Sequence, residues 1–229
     1  MDAIIRIEQL WKCYDGQECG ETSALRGLDL EVRQGEIVAI FGKSGSGKST
    51  LLNLIAGLDR PTRGAIILEG RDIHDLPESG RTQLRRSRLG FVFQFFNLIP
   101  TLTALENVSL PLEMLGRDKA RARITLEQVG LSGKEGRYPH ELSGGEQQRI
   151  AIARAIVKDP ALILADEPTG NLDTETGDQV LALLEGMVRN TGTTLILATH
   201  SERVSRISDR VLTMTDGRIT GDPSARDLP

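Results

Sequence analysis

Residues 37–49 constrain the fold of this chain more than any other stretch. The apolar run Ile37–Phe41 passes directly into Gly42-Lys43-Ser44-Gly45-Ser46-Gly47-Lys48-Ser49, which opens the helix-periodic segment Ser49–Ala56. A buried strand, a glycine-rich turn and a helix in immediate succession form the context of a phosphate-binding loop. The glycines allow a tight turn whose successive amides point at one centre of negative charge. Lys48 adds a positive charge near the outer phosphates of a nucleotide, and Ser49 offers a hydroxyl to magnesium. Gly42, Lys43, Ser44, Gly45, Ser46, Gly47, Lys48, Ser49 and Thr50 are the expected contacts.

The same pattern of an apolar run ending in a chemically capable group recurs. Phe91–Phe93 leads to Gln94, Ala161–Ala165 to Asp166 and Glu167, and Leu195–Thr199 to His200. Ligands of open α/β sheets bind beyond the carboxyl ends of the strands, so one shared site at such an edge is expected. Asp166 ends a buried strand, where a bare carboxylate is costly unless a cation neutralises it, and magnesium is the natural partner.

Elsewhere the periodicity alternates between strand and helix. Leu28, Leu30 and Val32 alternate with polar residues, Ile5 and Ile7 do so less cleanly, and Ala65–Leu68 precedes a Glu69-Gly70 turn. These predict a short antiparallel sheet over the first third, and Asp216-Gly217 predicts a late hairpin. Between Asn97 and His140 the pattern is helical, with a Thr103/Glu106 capping box and a second helix near Lys119–Val129. Ser143 and Glu146 form another box, opening a helix through Val157. A further helix follows Asp173 and closes near Gly192.

A formal net charge of −4 argues against general nucleic-acid binding, and none is expected. No apolar run approaches the roughly 20 residues that span a bilayer, and Met1-Asp2 opens no basic-then-apolar leader, so membrane work would need a separate protein. Arg81, Arg85, Arg86 and Arg88 read as a solvated helix face. Cys13 and Cys19 read as incidental thiols, and the tail Gly221–Pro229 as too short for an added regulatory domain.

Leu142-Ser143-Gly144-Gly145-Glu146-Gln147 supplies a second helix N-terminus clear of bulky side chains, and thus a second phosphate-binding device. Its own nucleotide loop does not need it, so a head-to-tail dimer in which each copy lends this device to the other's ATP is expected. From about Ile4 to Ile219 the sequence resembles the ATP-binding cassette family, which uses that arrangement. The resemblance implies an α/β fold: a RecA-like P-loop NTPase core with a mixed sheet, an antiparallel β-subdomain and an inserted α-helical subdomain at about 97–157, all in one nucleotide-binding domain spanning 1–229.

The resemblance also implies roles. Glu167 polarises the attacking water, Gln94 senses magnesium and links the site to a transport partner, and His200 contacts the γ-phosphate. Lys48 belongs with these in the chemical step; Ser49, Gln94 and Asp166 hold magnesium. Ser143, Gly144, Gly145 and Glu146 belong to the signature segment facing the partner's ATP. Gly170–Asp173 lines the dimer seam through Asp173, and Tyr14 stacks on adenine. Gly90–Leu112 resembles the branch serving lipoprotein release, macrolide and peptide export, and cell division. That implies integral membrane permease subunits and a peripheral location on the cytoplasmic face of a bacterial inner or plasma membrane. A soluble cassette ATPase without a membrane partner would share every one of these residues; a P-loop kinase would not need Leu142–Gln147 or His200.

Of five phenylalanines, Phe91, Phe93, Phe95 and Phe96 surround Gln94. Two readings stand. In one, Phe91 and Phe93 fill the sheet while Phe95 and Phe96 wedge the helical lobe. In the other, Phe95, Phe96, Leu98 and Ile99 line a groove for a short helix of the membrane subunit.

Overall fold

The alternating segments and the continuous apolar runs become two kinds of strand in the computed structural model, which describes residues 3–14, 20 and 23–221. In chain order the elements are β1 (Ala3–Lys12), β2 (Leu25–Arg33), β3 (Ile37–Phe41), α1 (Lys48–Ile55), β4 (Arg63–Leu68), β5 (Arg71–Asp72), α2 (Glu78–Ser87), β6 (Leu89–Phe93), α3 (Ala104–Met114), α4 (Ala120–Gln128), α5 (Gly144–Ile156), β7 (Leu162–Asp166), α6 (Thr174–Thr191), β8 (Thr194–Thr199), β9 (Arg210–Thr215) and β10 (Arg218–Gly221). The chain divides into two units, one made of Met1–Gln83 with Thr194–Pro229 and the other of Leu84–Thr193.

The first unit holds an antiparallel sheet in the order β2-β1-β4-β5. Ile5 and Ile7 of β1 lie opposite Val32 and Leu30 on one side and Leu68 and Ile66 on the other, and all six are buried. The imperfect alternation of β1 has a cause: the register shifts between Ile7 and Leu10, where Gln9 takes a left-handed φ of 45°. Asp29 accepts the Gln9 amide at 2.7 Å and so secures this bulge. Gly64 on β4 is required there, because a Cβ would lie 2.3 Å from the Gln9 carbonyl oxygen.

The same unit contains the strand run β10-β9-β3-β8, mixed in direction. β3 is parallel to both β8 and β9, whereas β10 returns antiparallel to β9 through the Asp216-Gly217 turn. Val38, Ala39 and Ile40 are fully buried, as are Leu195 to Ala198 of β8. Strands covered on both faces read as unbroken apolar runs, the pattern seen in the sequence. Arg81 corrects the reading of a solvated arginine face: it is only 4% exposed. Its guanidinium donates to Leu76 O at 2.8 Å and to Glu78 Oε2 at 2.7 Å. The bare Cα of Gly57 leaves room for its methylenes. Cys13 is disulfide-bonded, which corrects the reading of incidental thiols; Cys19 and residues 222–229 lie outside the described residues.

In the second unit β6 and β7 pair in parallel, with Phe93 opposite Asp166. α3, α4 and α5 enclose an apolar cluster that includes Val108, Leu112, Ala122, Leu126, Val129, Ile150, Ala153 and Val157. The predicted caps are present. Thr103 and Ser143 each accept the third amide of their helix while Glu106 and Glu146 reach back, and Asp173 caps α6. α6 ends at Gly192 in the left-handed conformation, where glycine carries no Cβ penalty.

Candidate functional site

Each unit carries its own set of candidate residues. In the first, the loop after β3 turns on glycines that have no substitute: a Cβ on Gly42 would lie 2.5 Å from Met214 O, and one on Gly47, at φ 104°, 2.5 Å from Ala24 O. The loop is tied to the end of β8 by Gly42 N donating to Thr199 O at 3.2 Å, and Gly217 N donates to Ser46 O at 3.0 Å. The Lys48 ammonium donates to Gly42 O and Lys43 O at 2.7 and 3.1 Å, so the lysine folds back over the loop that precedes it.

α1 differs from α3, α5 and α6 in two respects. Gly47 offers no side-chain cap, and its first turn has no acidic residue. The leading amides of a helix have no partner inside it, and a phosphate satisfies them while meeting the positive end of the helix dipole. Ser46 Oγ is buried without a hydrogen-bond partner among the described residues. An uncapped helix start, an orphaned hydroxyl and a folded-back lysine fit a nucleotide's phosphates with magnesium.

Tyr14 is 50% exposed. Its hydroxyl donates to Asp59 at 3.1 Å and the Lys12 ammonium lies 4.7 Å from the ring centroid. Lys12 also donates to Asp59 at 2.7 Å. Partial burial raises the Asp59 pKa, but the hydrogen bonds from Lys12, Arg60 N–H and Tyr14 outweigh it and leave the carboxyl below its ordinary value. The ring is thereby oriented, consistent with a stacking surface. His200 is exposed at the end of β8, next to the buried Thr199.

In the second unit the pairing of Phe93 with Asp166 sets Gln94 and Glu167 at neighbouring strand ends. Glu167 adopts a left-handed φ of 46°, rare for a residue with a side chain, and its carbonyl accepts Gly170 N–H at 3.0 Å. Gln94 and Asn171 exchange hydrogen bonds: Gln94 Nε2 donates to Asn171 Oδ1 at 3.2 Å, and Asn171 Nδ2 donates to Gln94 O at 3.0 Å. Gly170 permits this approach, since a Cβ there would stand 2.8 Å from Gln94 Nε2.

Beyond Gln94 the chain turns through two successive left-handed residues, Phe96 at φ 58° and Asn97 at 48°. Arg154 of α5 holds both, donating to Phe96 O at 2.8 Å and to Asn97 O at 2.6 Å. Burial lowers the pKa of its guanidinium. Phe95, at the apex, is 72% exposed, and Ile99 is exposed too. Leu98 instead packs on the helical core, and the rings of Phe91 and Phe93 stack 5.8 Å apart. The phenylalanine cluster is therefore divided between interior and surface.

At the signature segment the capping box uses the Glu146 amide and leaves those of Gly144 and Gly145 with no acceptor in their own helix. Glu146 accepts Ser143 N–H at 2.9 Å and pairs with Lys134. The Lys134 hydrogen bond, then that of Ser143 N–H, holds its carboxyl below the usual range. Asp173 is similarly lowered by Thr176 N–H, which it caps at 3.0 Å. Gly145 has a packing duty beyond an open approach: a Cβ would meet Thr176 Cγ2 at 2.4 Å.

Several participants escape motif reading. Arg154, Lys134, Lys12 and Asp59 belong to no phosphate pattern. Gln148 does carry a signal, since helical spacing places it on the face of α5 that buries Gly145, Ile152, Ala155 and Ile156.

The family profile described as ABC transporter matches residues 25–170. An uncharacterized ABC transporter ATP-binding protein of Mycobacterium tuberculosis is 50% identical over 94% of this chain and 88% of its own. The lipoprotein-releasing system ATP-binding protein LolD of Shewanella frigidimarina is 45% identical over 94% of this chain and 91% of its own. Among solved structures, a dimeric ATP-binding cassette in a post-hydrolysis state with ADP and phosphate superposes with a TM-score of 0.86 at 40% identity, covering 98% of this chain and 100% of that one. The chain belongs to the ABC transporter family and is one of its ATP-binding, ATP-hydrolysing cassettes.

Proposed function

We propose that this cassette works as a head-to-tail dimer whose ATP hydrolysis drives a separate membrane protein. The observation that carries the reading is the presence of two helix starts suited to phosphate, the uncapped α1 and the glycine pair opening α5. One serves the chain's own ATP, and the other serves the partner copy's. The dimeric cassette with ADP and phosphate supports this arrangement.

Lys48 and the loop from Gly42 to Thr50 bind the phosphates, and Tyr14 stacks on adenine. Ser49, Gln94 and Asp166 would hold magnesium, which when bound would supply positive charge to neutralise the phosphates; it ordinarily keeps few protein ligands and takes its remaining oxygens from phosphate and water. Glu167 draws the proton of the attacking water, His200 contacts the γ-phosphate, and Asp173 lines the seam. Residues at about 97–157 act as the helical lobe of a single nucleotide-binding domain.

Among the described residues no helix is long and apolar enough to cross a membrane. We place the chain peripherally on the cytoplasmic face, with Phe95 and Ile99 as the surface that meets the membrane subunit. An aromatic side chain exposed next to Gln94 favours this over a cassette without a membrane partner. The likeness to LolD supports lipoprotein release or a related export or mechanical task.

Gly144→Asp tests the composite site, because it sets a carboxylate at a helix start meant for phosphate. Binding of a fluorescent ATP analogue to the variant should match that of the parent, while turnover falls at least about a hundredfold, the scale of losing a charge-stabilising donor. Undiminished turnover would refute the shared site.

A further inference from the structure

Gln148 is fully buried in α5, and none of the roles above uses it. Its Nε2 donates to Pro168 O at 2.6 Å and makes a longer contact of 3.4 Å with Phe93 O. One carbonyl belongs to the residue after Glu167, the other to the residue before Gln94. A single amide thus fastens the ends of β7 and β6 to the helix that begins with the signature segment. Gln148 Oε1 has no partner among the described residues. An apolar side chain of equal size would avoid leaving a buried acceptor unmet, so packing does not account for glutamine here. What it supplies is a donor at a backbone that needs holding, since Glu167 rests at a left-handed φ of 46°.

We propose that Gln148 is a positioning residue for hydrolysis, fixing the Glu167–Pro168 backbone and anchoring the start of the Gln94 loop to α5. The proposal rests on Glu167 as the residue that polarises water. It acts through that backbone and touches neither nucleotide nor water.

The test uses the full chain with ATP and magnesium. Gln148→Met keeps the length and removes the donor. It should lower kcat about tenfold or more with KM nearly unchanged, the signature of an interaction made only in the transition state. Amide hydrogen exchange across residues 167–171 should rise in the same variant.

Gln148→Glu separates positioning from packing. Protonated, it is nearly isosteric and donates to Pro168 O; ionised, it sets a carboxylate against two carbonyl oxygens. The segments it contacts carry Asp166 at the end of β7 and Glu167 just after it, none on β6, and Glu146, Arg149 and Arg154 on its own helix. Burial favours the neutral acid. The variant should therefore approach parental turnover at low pH and lose it as pH rises, along a limb the parent lacks. A methionine variant with parental kcat, or a glutamate variant whose pH profile parallels the parent's, overturns the proposal. If the methionine variant does not fold, the glutamate profile decides. Glu167→Gln is assayed alongside: if it stalls while the Gln148 variants turn over normally, only the positioning role fails. Normal turnover by Glu167→Gln removes the assignment beneath it.

Discussion

At the residue scale, the proposed function assigns Lys48 to holding phosphate and Glu167 to the chemical step. Lys48 lies buried against its own loop, and removing it takes away the charge that the phosphates meet. Lys48→Ala should weaken nucleotide binding and abolish turnover, as equilibrium binding and phosphate release will report. Glu167→Gln should still bind ATP while its hydrolysis rate drops by about 10²–10⁴, the usual contribution of a positioned proton acceptor. Retained hydrolysis in that variant would remove the assignment. Glu146 makes a different, pH-dependent contribution. Lys134 and Ser143 N–H hold its folded-state pKa below the ordinary 4.5. Its stabilisation is therefore fully present above the unfolded pKa and is lost as pH falls through the lower folded one. Denaturant melts of the parent and Lys134→Met should differ at pH 7 and converge as the solution is acidified through the lowered folded-state pKa of Glu146.

At the scale of elements, α5 joins the candidate groups of the second unit. Its first turn presents Gly144 and Gly145, its second inserts Gln148 beneath Pro168, and Arg154 grips Phe96 and Asn97. Arg154→Met should free two left-handed residues at a stability loss of roughly 1.5–3 kcal/mol, the range for hydrogen bonds to a charged group. Faster amide exchange over 95–97 with unchanged ATP affinity would identify the loop as the part released. Much of this element was legible in sequence, because a serine three residues before a glutamate and a proline beyond Val157 are local instructions for starting and stopping a helix. The loop after β3 was legible for the same reason, with strand, glycines and helix contiguous. Pairings between distant segments were not. Nothing near Arg81 announces that Gly57 vacates the space it fills, and nothing in Glu167 announces a left-handed φ. The Gln9 bulge depends on Asp29 and Gly64, and motif reading does not place them together. Gly145 looked like an open approach to phosphate, but its packing against Thr176 emerges only when α6 is in place.

At the scale of the whole molecule, the chain in the proposed reading carries one more phosphate device than a single nucleotide requires, and its activity is so tied to a second copy. In that reading ATP bound across the seam would stabilise the dimer by mass action, and departure of the hydrolysis products would reopen it. Phe95 and Ile99 are exposed on the segment that follows Gln94, and in the proposed reading they would give the nucleotide state a route to the membrane partner. Sedimentation of Glu167→Gln with ATP tests the central claim most directly. The account predicts a dimer at saturating ATP, a monomer with ADP, and a monomer with ATP once Gly144→Asp is added. A Glu167→Gln chain that binds ATP to saturation in the presence of its membrane partner and remains monomeric would contradict it.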